Sequence, residues 1–174
     1  MQKQKSNIVL IGMAGAGKSS VGVQLSRLLG LDFVDTDTLI EEDQHTSLQT
    51  LLSDLGLQGF RELEERVILS MALQNHIIAT GGSAIYSEAG MEHLKRSSVF
   101  VLLDVKLAIL QQRVGDFSSR GLVKSKDQSF AQLFTERLPL YQKHADLVIP
   151  CDEQSVSAIC QSILRNLEDT FYHF

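Results

Sequence analysis

A chain of 174 residues with 44% apolar and 21% charged side chains is sized and composed for one globular domain, which excludes fibrous, disordered and repeat architectures. Its net charge of −5 argues against a nucleic-acid partner, because holding a polyanion takes a basic face. Two cysteines, Cys151 and Cys160, cannot form a disulfide framework and suit the reducing cytoplasm, and no targeting signal or run of ~20 apolar residues marks a membrane partner.

The chain alternates short apolar runs with helical patterns. Residues 7–11, NIVLI, read as a strand, followed by a glycine-rich turn and a helix with Val21, Leu25, Leu28 and Leu29 on one face. Gly30 is placed to end that helix, and LDFVD then reads as a second strand with Asp35 at its carboxyl end. Two helical stretches follow. The second, from Phe60 to Leu73, puts Leu63, Val67, Ile68 and Met71 on one face and Glu64, Glu65 and Arg66 elsewhere. HIIAT (76–80), halted by Gly81 and Gly82, and SVFVLLD (98–104) are apolar throughout, as strands covered on both faces must be. The polar stretch 115–128, with two glycines and no periodicity, is expected to be a mobile lid. DLVIP (146–150) and a closing helix around Val156–Leu167 complete a doubly wound α/β fold. Such a fold binds its ligands at the carboxyl ends of a parallel sheet, where the polar motifs of this chain fall.

GMAGAGKS, Gly12 to Ser19, matches G-x-x-x-x-G-K-[ST] directly after a strand and before a helix. Gly12, Gly15 and Gly17 let the backbone curl so that successive N–H groups face a phosphate, and the helix adds its positive end. The expected ATP-binding set is Gly15, Ala16, Gly17, Lys18, Ser19 and Ser20, with Lys18 reaching the outer phosphates and Ser19 placed to ligand Mg²⁺. The loop alone is shared by GTPases and motors. No Asn-Lys-x-Asp element for reading a guanine base occurs, and an arginine-bearing lid suits transfer to a small molecule, which needs water excluded.

Asp35 and Asp37 are paired carboxylates just past a strand: one can hold magnesium through a water, the other can accept a hydrogen bond from an acceptor hydroxyl. The plainer alternative is a helix-capping aspartate. Arg61 opens a helix after Gly59 and Phe60, where an acidic residue would be favoured, so an anion is expected to meet it; pairing with Asp54 or Glu65 is the alternative. Arg137 precedes Leu138 and Pro139, and the proline is expected to kink or end a helix there and turn side chains toward the cleft; a solvated arginine is the alternative. If Arg61 and Arg137 converge they make a carboxylate site, and Gly82 lets an acceptor approach the backbone.

Taken in order, GMAGAGKSS, FVDTD, GFRELEE, ATGG, an arginine-bearing lid and ERLPLY followed by AD resemble the shikimate kinase family over residues 8–149. The resemblance implies a P-loop kinase fold of three α/β/α layers with a five-stranded parallel sheet, and transfer of the ATP γ-phosphoryl group to the 3-hydroxyl of shikimate. It implies that Asp35 helps position magnesium, that Asp37 contacts the ring hydroxyls, that Arg61 and Arg137 hold the carboxylate, and that Gly81 and Gly82 line the acceptor site. It also implies that Glu64 orients Arg61, that Arg113 packs on adenine, and that Arg120 in the lid neutralises the transferred phosphate. Lys18, Asp37 and Arg120 would thus be the catalytic group.

The chain departs from the family pattern at Ser83, usually a third glycine, and at Gly121, usually a proline. It also lacks the glutamate before the Phe-Arg pair, and Gln154 stands about where an arginine is usual near adenine. These changes bear on the identity of the acceptor more than on the chemistry. A sister kinase for another carboxylate-bearing alcohol such as homoserine, or a nucleotide-binding regulator without transfer activity, are the rival readings. His45, His76, His93, His144 and His173 lack metal-ligand spacing and are assigned no chemistry, as are the cysteines. The expected partners are ATP and a small acceptor, on a monomeric chain of one domain (1–174).

Overall fold

The computed structural model describes residues 5–114, 122–125 and 127–170. Five strands form one parallel sheet: β1 (Asn7–Ile11), β2 (Asp32–Asp35), β3 (His76–Ala79), β4 (Ser98–Asp104) and β5 (Leu147–Pro150), in the order β2-β3-β1-β4-β5. Every residue of β1 is buried, as is β4 up to Leu103, because both strands lie inside the sheet with helices over each face. Their isoleucines, valines and leucines each contribute about 1.5–3 kcal/mol by leaving water. The outer strands are less covered, with Asp32 exposed on β2 and Val148 exposed on β5. Asn7 pins the register at the amino ends: its side chain donates to Leu73 O (2.8 Å) and accepts from His76 N (3.0 Å).

The helices are α1 (Lys18–Leu29), α2 (Thr36–Gln44), α3 (Leu48–Ser70), α4 (Glu88–Lys95), α5 (Leu107–Val114), α6 (Phe130–His144) and α7 (Val156–Thr170), with one 3₁₀ turn at Ala84–Tyr86. α1 ends at Gly30 in the left-handed conformation, as the sequence leads one to expect. The strand order turns back at β1, so the loop after β1 opens into the crevice where an α/β sheet collects its ligand.

Three local expectations need correction. The break between the two helical stretches falls at Gly56 (φ 68°, ψ −179°), so Arg61 lies a full turn inside the second stretch and that stretch stops at Ser70. Gly59 stays helical, and Gly56 takes the backbone conformation that side chains disfavour. Pro139 does not end its helix, since α6 runs on to His144. Glu64 is 1% exposed and points inward with Leu63 and Ile68, so the buried face of α3 is wider than its apolar positions suggest.

Candidate active site

The loop between β1 and α1 is shaped by backbone demands. Gly12 has φ 145°, and a Cβ there would lie 2.9 Å from the Leu103 carbonyl oxygen, so a side chain is excluded twice over. Gly17 caps α1 with φ 95° and offers no side-chain cap, and the first turn of α1 holds no acidic residue. The positive end of the helix is thereby left for an external anion. Ala16 is buried and its N–H donates to Met13 O (3.1 Å), which fixes the curl of the loop. Lys18 folds back, donating from Nζ to Gly12 O (2.7 Å) and Met13 O (2.9 Å). Burial pulls its pKa down to about 8 against the opposing charges of Asp37 and Asp35. An ammonium held only by neutral carbonyls is poised to move to phosphate oxygens. A cleft of ≈ 290 Å³ joins Gly15, Gly17, Lys18, Ser19 and Ser20 to Asp35, Asp37 and Gly82, so donor and acceptor halves share one space.

Asp35 caps a helix, the plainer of the two readings above, and keeps its other oxygen on the phosphate loop. Its Oδ1 caps α2 by accepting from Asp37 N (3.0 Å), while Oδ2 accepts from Ser19 Oγ (2.6 Å). A hydroxyl and a carboxylate oxygen brought together at the mouth of the phosphate loop are the hard donors magnesium prefers. Among the described residues no group of three or more His, Cys, Asp or Glu side chains is placed to hold a metal. The donor set therefore fits an ion that takes its remaining ligands from phosphate and water, as magnesium does.

On the acceptor side Gly81 is the hinge of the arrangement. Its N–H donates to the buried hydroxyl of Thr36 (2.9 Å), locking the turn after β3 against α2. A Cβ on Gly81 would overlap Asp37 Oδ1 and come within 2.6 Å of Glu64 Oε1, so two carboxylates flank this glycine. Burial, then the charge of Asp35, pushes the Asp37 pKa up to about 6, with Lys18 pulling the other way. Burial pushes Glu64 up to about 7, and its bond from Ser83 Oγ (2.5 Å to Oε2) works against that rise. Glu64 Oε1 is buried with no hydrogen-bond partner. The expectation that Glu64 orients Arg61 gives way: its hydrogen bond comes from Ser83, the residue that departs from the family pattern.

Arg61 stacks its guanidinium 3.7 Å over the ring centroid of Tyr86, and its buried Nε has no partner. Glu65, offered above as an alternative partner, instead accepts from Ser87 Oγ (2.5 Å). Arg137 is 1% exposed and so is not a solvated arginine. Its Nε donates to Tyr86 Oη (3.2 Å), one Nη donates to the Val123 carbonyl, and the other lies beside Gly82, 2.8 Å from where a Cβ would stand. Tyr141 closes the wall by donating to Gly82 O (2.7 Å). The two arginines thus converge as the sequence suggests, with Tyr86 between them.

Arg113, at the end of α5, reaches Gly15 O (3.4 Å), on the donor side. Arg120 and Gly121 lie outside the described residues, as do 115–119 and 126 of the segment read as a lid. Of the rest, Val123 is buried with Ile40, Leu51, Phe60 and Leu63, and Gln128 donates to Glu136 (2.6 Å). Gln154, near the adenine side in the sequence reading, bonds Pro150 O (2.9 Å).

Comparison with known proteins agrees with this geometry. The family model described as shikimate kinase matches residues 14–168. The chain belongs to the shikimate kinase family. The shikimate kinase of Pasteurella multocida is 35% identical over 170 residues, covering 95% of this chain and 97% of that protein. Among solved structures, shikimate kinase from Acinetobacter baumannii in complex with shikimate superimposes with a TM-score of 0.89 at 30% identity, covering 97% of this chain and 96% of that one. The enzyme from Aquifex aeolicus gives 0.83 at 30% identity, covering 95% and 98%. These likenesses make the three-layer P-loop kinase fold secure. Four buried or half-buried residues that shape the site went unread in the sequence: Thr36, Ser83 as a partner of Glu64, Tyr86 and Tyr141. Thr36 between two aspartates and Tyr141 just past the Arg137-Leu-Pro run were visible signals, but neither residue type announces a partner so distant in sequence.

Proposed function

We propose that this shikimate kinase family member transfers the γ-phosphoryl group of ATP to the 3-hydroxyl of shikimate. The observation that carries the acceptor is the convergence on Tyr86 of Arg61, with an unpartnered buried Nε, and of Arg137, one Nη of which lies beside Gly82, a residue lining the cleft that contains Lys18 and Asp37. Two guanidinium groups gathered about one ring suit a planar carboxylate, and Asp37, beside Gly81, is placed to take the hydroxyl. Ser19 and Asp35 would hold magnesium, which when bound spreads charge off the phosphate oxygens.

Phosphoryl transfer asks the protein mainly for placement and charge, because its transition state is loose. In this reading the amides around Gly15, Gly17 and Lys18 grip the donor, and Lys18 leaves the Gly12 and Met13 carbonyls to follow charge developing on the bridging and terminal oxygens. Asp37 accepts a hydrogen bond from the 3-hydroxyl and takes its proton as the new P–O bond forms and the bond from the γ-phosphorus to the bridging oxygen breaks, that oxygen leaving on ADP. Arg61 and Arg137 hold the ring by its carboxylate and so set how tightly the acceptor binds. Arg113 borders the nucleotide, and Arg120 is assigned the transferred phosphoryl group on the strength of the resemblance alone. A cytoplasmic setting belongs to the same reading: the buried thiols of Cys151 and Cys160 are unpaired, and no helix among the described residues is long and apolar enough to cross a membrane.

ADP release measured with shikimate, homoserine and gluconate in parallel tests the proposal. Turnover with shikimate alone is expected. Turnover with homoserine and none with shikimate would move the chain to a sister activity, and none with any acceptor despite tight nucleotide binding would make it a regulator.

A further inference from the structure

Tyr86 is assigned no part by the reading above, yet it touches both arginines of the acceptor site. It ends the 3₁₀ turn Ala84–Tyr86, whose backbone is tied to the glycine loop by Ala84 N to Gly81 O (3.3 Å) and Tyr86 N to Ser83 O (3.0 Å). Its ring is therefore fixed relative to Gly81 and Gly82. Arg61 lies over that ring at 3.7 Å and Arg137 at 5.2 Å from its centroid. The hydroxyl accepts from Arg137 Nε (3.2 Å) and donates to a Glu136 carboxylate oxygen. Burial, followed by the bond to Glu136, raises the pKa of Tyr86, so the group stays a hydroxyl able to serve both partners.

Two guanidinium groups gathered about one ring repel each other, and each long side chain has many other rotamers open to it. The electron-rich face of an aromatic ring attracts a cation, and a hydroxyl oxygen on the same ring gives the second cation a directed partner. Tyr86 supplies both at once. Arg61 is held by its flat face while its Nε keeps no hydrogen-bond partner, and Arg137 is held by Nε while one Nη stays beside Gly82.

We infer that Tyr86 is a positioning residue that presets Arg61 and Arg137 for the carboxylate of the acceptor, and so sets acceptor affinity without touching the phosphoryl group. This rests on the proposed function above. Two substitutions separate its contributions: Y86F removes the hydroxyl and keeps the ring, and Y86L removes both at similar bulk. Steady-state kinetics with shikimate should show KM for shikimate rising about 10–100-fold in Y86F and about 3–10-fold further in Y86L, the size expected for losing a charged hydrogen bond and then a cation–ring contact as well. KM for ATP and kcat at saturating shikimate should stay within about twofold in both.

A residue that merely packs would disturb any acceptor equally. The same kinetics with the carboxamide of shikimate, which offers no negative charge, should give one KM for wild type, Y86F and Y86L alike. An unchanged KM for shikimate in Y86F and Y86L, or equal rises with shikimate and its carboxamide, would overturn the inference. If Y86L does not fold, the comparison of Y86F with wild type on the two acceptors decides. Wild-type protein without turnover on shikimate would defeat the proposed function and this inference with it, whereas full turnover with indifferent variants would defeat the inference alone.

Discussion

Gly81→Ala should cost catalysis far more than it costs the fold. The backbone of Gly81 lies outside the left-handed region, so alanine meets no conformational penalty there. The added Cβ would instead collide with Asp37 Oδ1 and stand 2.6 Å from Glu64 Oε1, both of them ends of flexible side chains. Relieving the overlap needs the Asp37 carboxylate to move by roughly 1 Å, and a displacement of that size at a reacting group costs on the order of 10²-fold in rate. The Thr36 to Gly81 bond and the strand register are untouched, so the melting temperature should fall only a few degrees. Coupled detection of ADP should therefore show kcat down about 100-fold with KM for ATP unchanged. Gly82→Ala supplies the contrast, since its Cβ would lie 2.8 Å from Arg137 Nη1 and should raise KM for shikimate by about tenfold while sparing kcat. A well-folded Gly81→Ala protein with kcat within threefold of wild type would refute the placement of Asp37 at the hydroxyl.

The pH dependence follows from the same carboxylate. Asp37 must be ionised to accept a proton, and its pKa stands at about 6, so kcat/KM for shikimate should fall roughly tenfold per pH unit below that point. An acid limb near pH 4, where an ordinary aspartate titrates, would show that Asp37 is not the group. At the other end Lys18, at about 8 in the free protein, should give a falling limb in kcat/KM for ATP as pH rises past 8. Glu64 predicts a stability effect instead. Its folded pKa of about 7 exceeds the ordinary 4.5, so the folded state holds a proton that the unfolded chain has released, and wild-type stability should fall as pH rises from 4.5 to 7. E64Q should remove that slope and gain on the order of 1–3 kcal/mol relative to wild type above pH 7, read by urea denaturation on either side of the interval. Parallel stability curves for the two proteins would count against a buried, strained Glu64.

The donor half of the site was legible because backbone geometry dictates its residues. Only glycine fits at Gly12, where φ is 145° and a carbonyl blocks the Cβ, and a lysine and hydroxyl at fixed offsets finish the motif. The strands were legible for a similar reason, since a parallel sheet covered on both faces leaves unbroken apolar runs such as 98–104. The acceptor half depends on side chains meeting across long stretches of sequence. Arg137 and Tyr86, 51 positions apart, meet through the hydroxyl, and nothing local to either residue signals the other. The two misread helix features have the same origin. Pro139 was expected from local propensity to kink or end its helix, yet α6 runs on to His144, and Glu64 was set off the apolar face by polarity, yet it is buried and its partner Ser83 lies on the turn after β3.

Ser83 shows how a departure from a family pattern can mislead when it is weighed in isolation. A hydroxyl added beside an acceptor pocket suggests a new donor for a different substrate. Here that hydroxyl is 2% exposed and is given to Glu64 Oε2 at 2.5 Å, so no proton remains for a ligand. What it changes is Glu64. Anchoring Oε2 leaves Oε1 turned toward Gly81 and Asp37, and the hydrogen bond partly offsets the burial that favours the protonated acid. The substitution therefore stiffens the wall that holds Asp37 and does not open the pocket. This is the physical reason that a departure from the family pattern at Ser83 is compatible with the family's own acceptor.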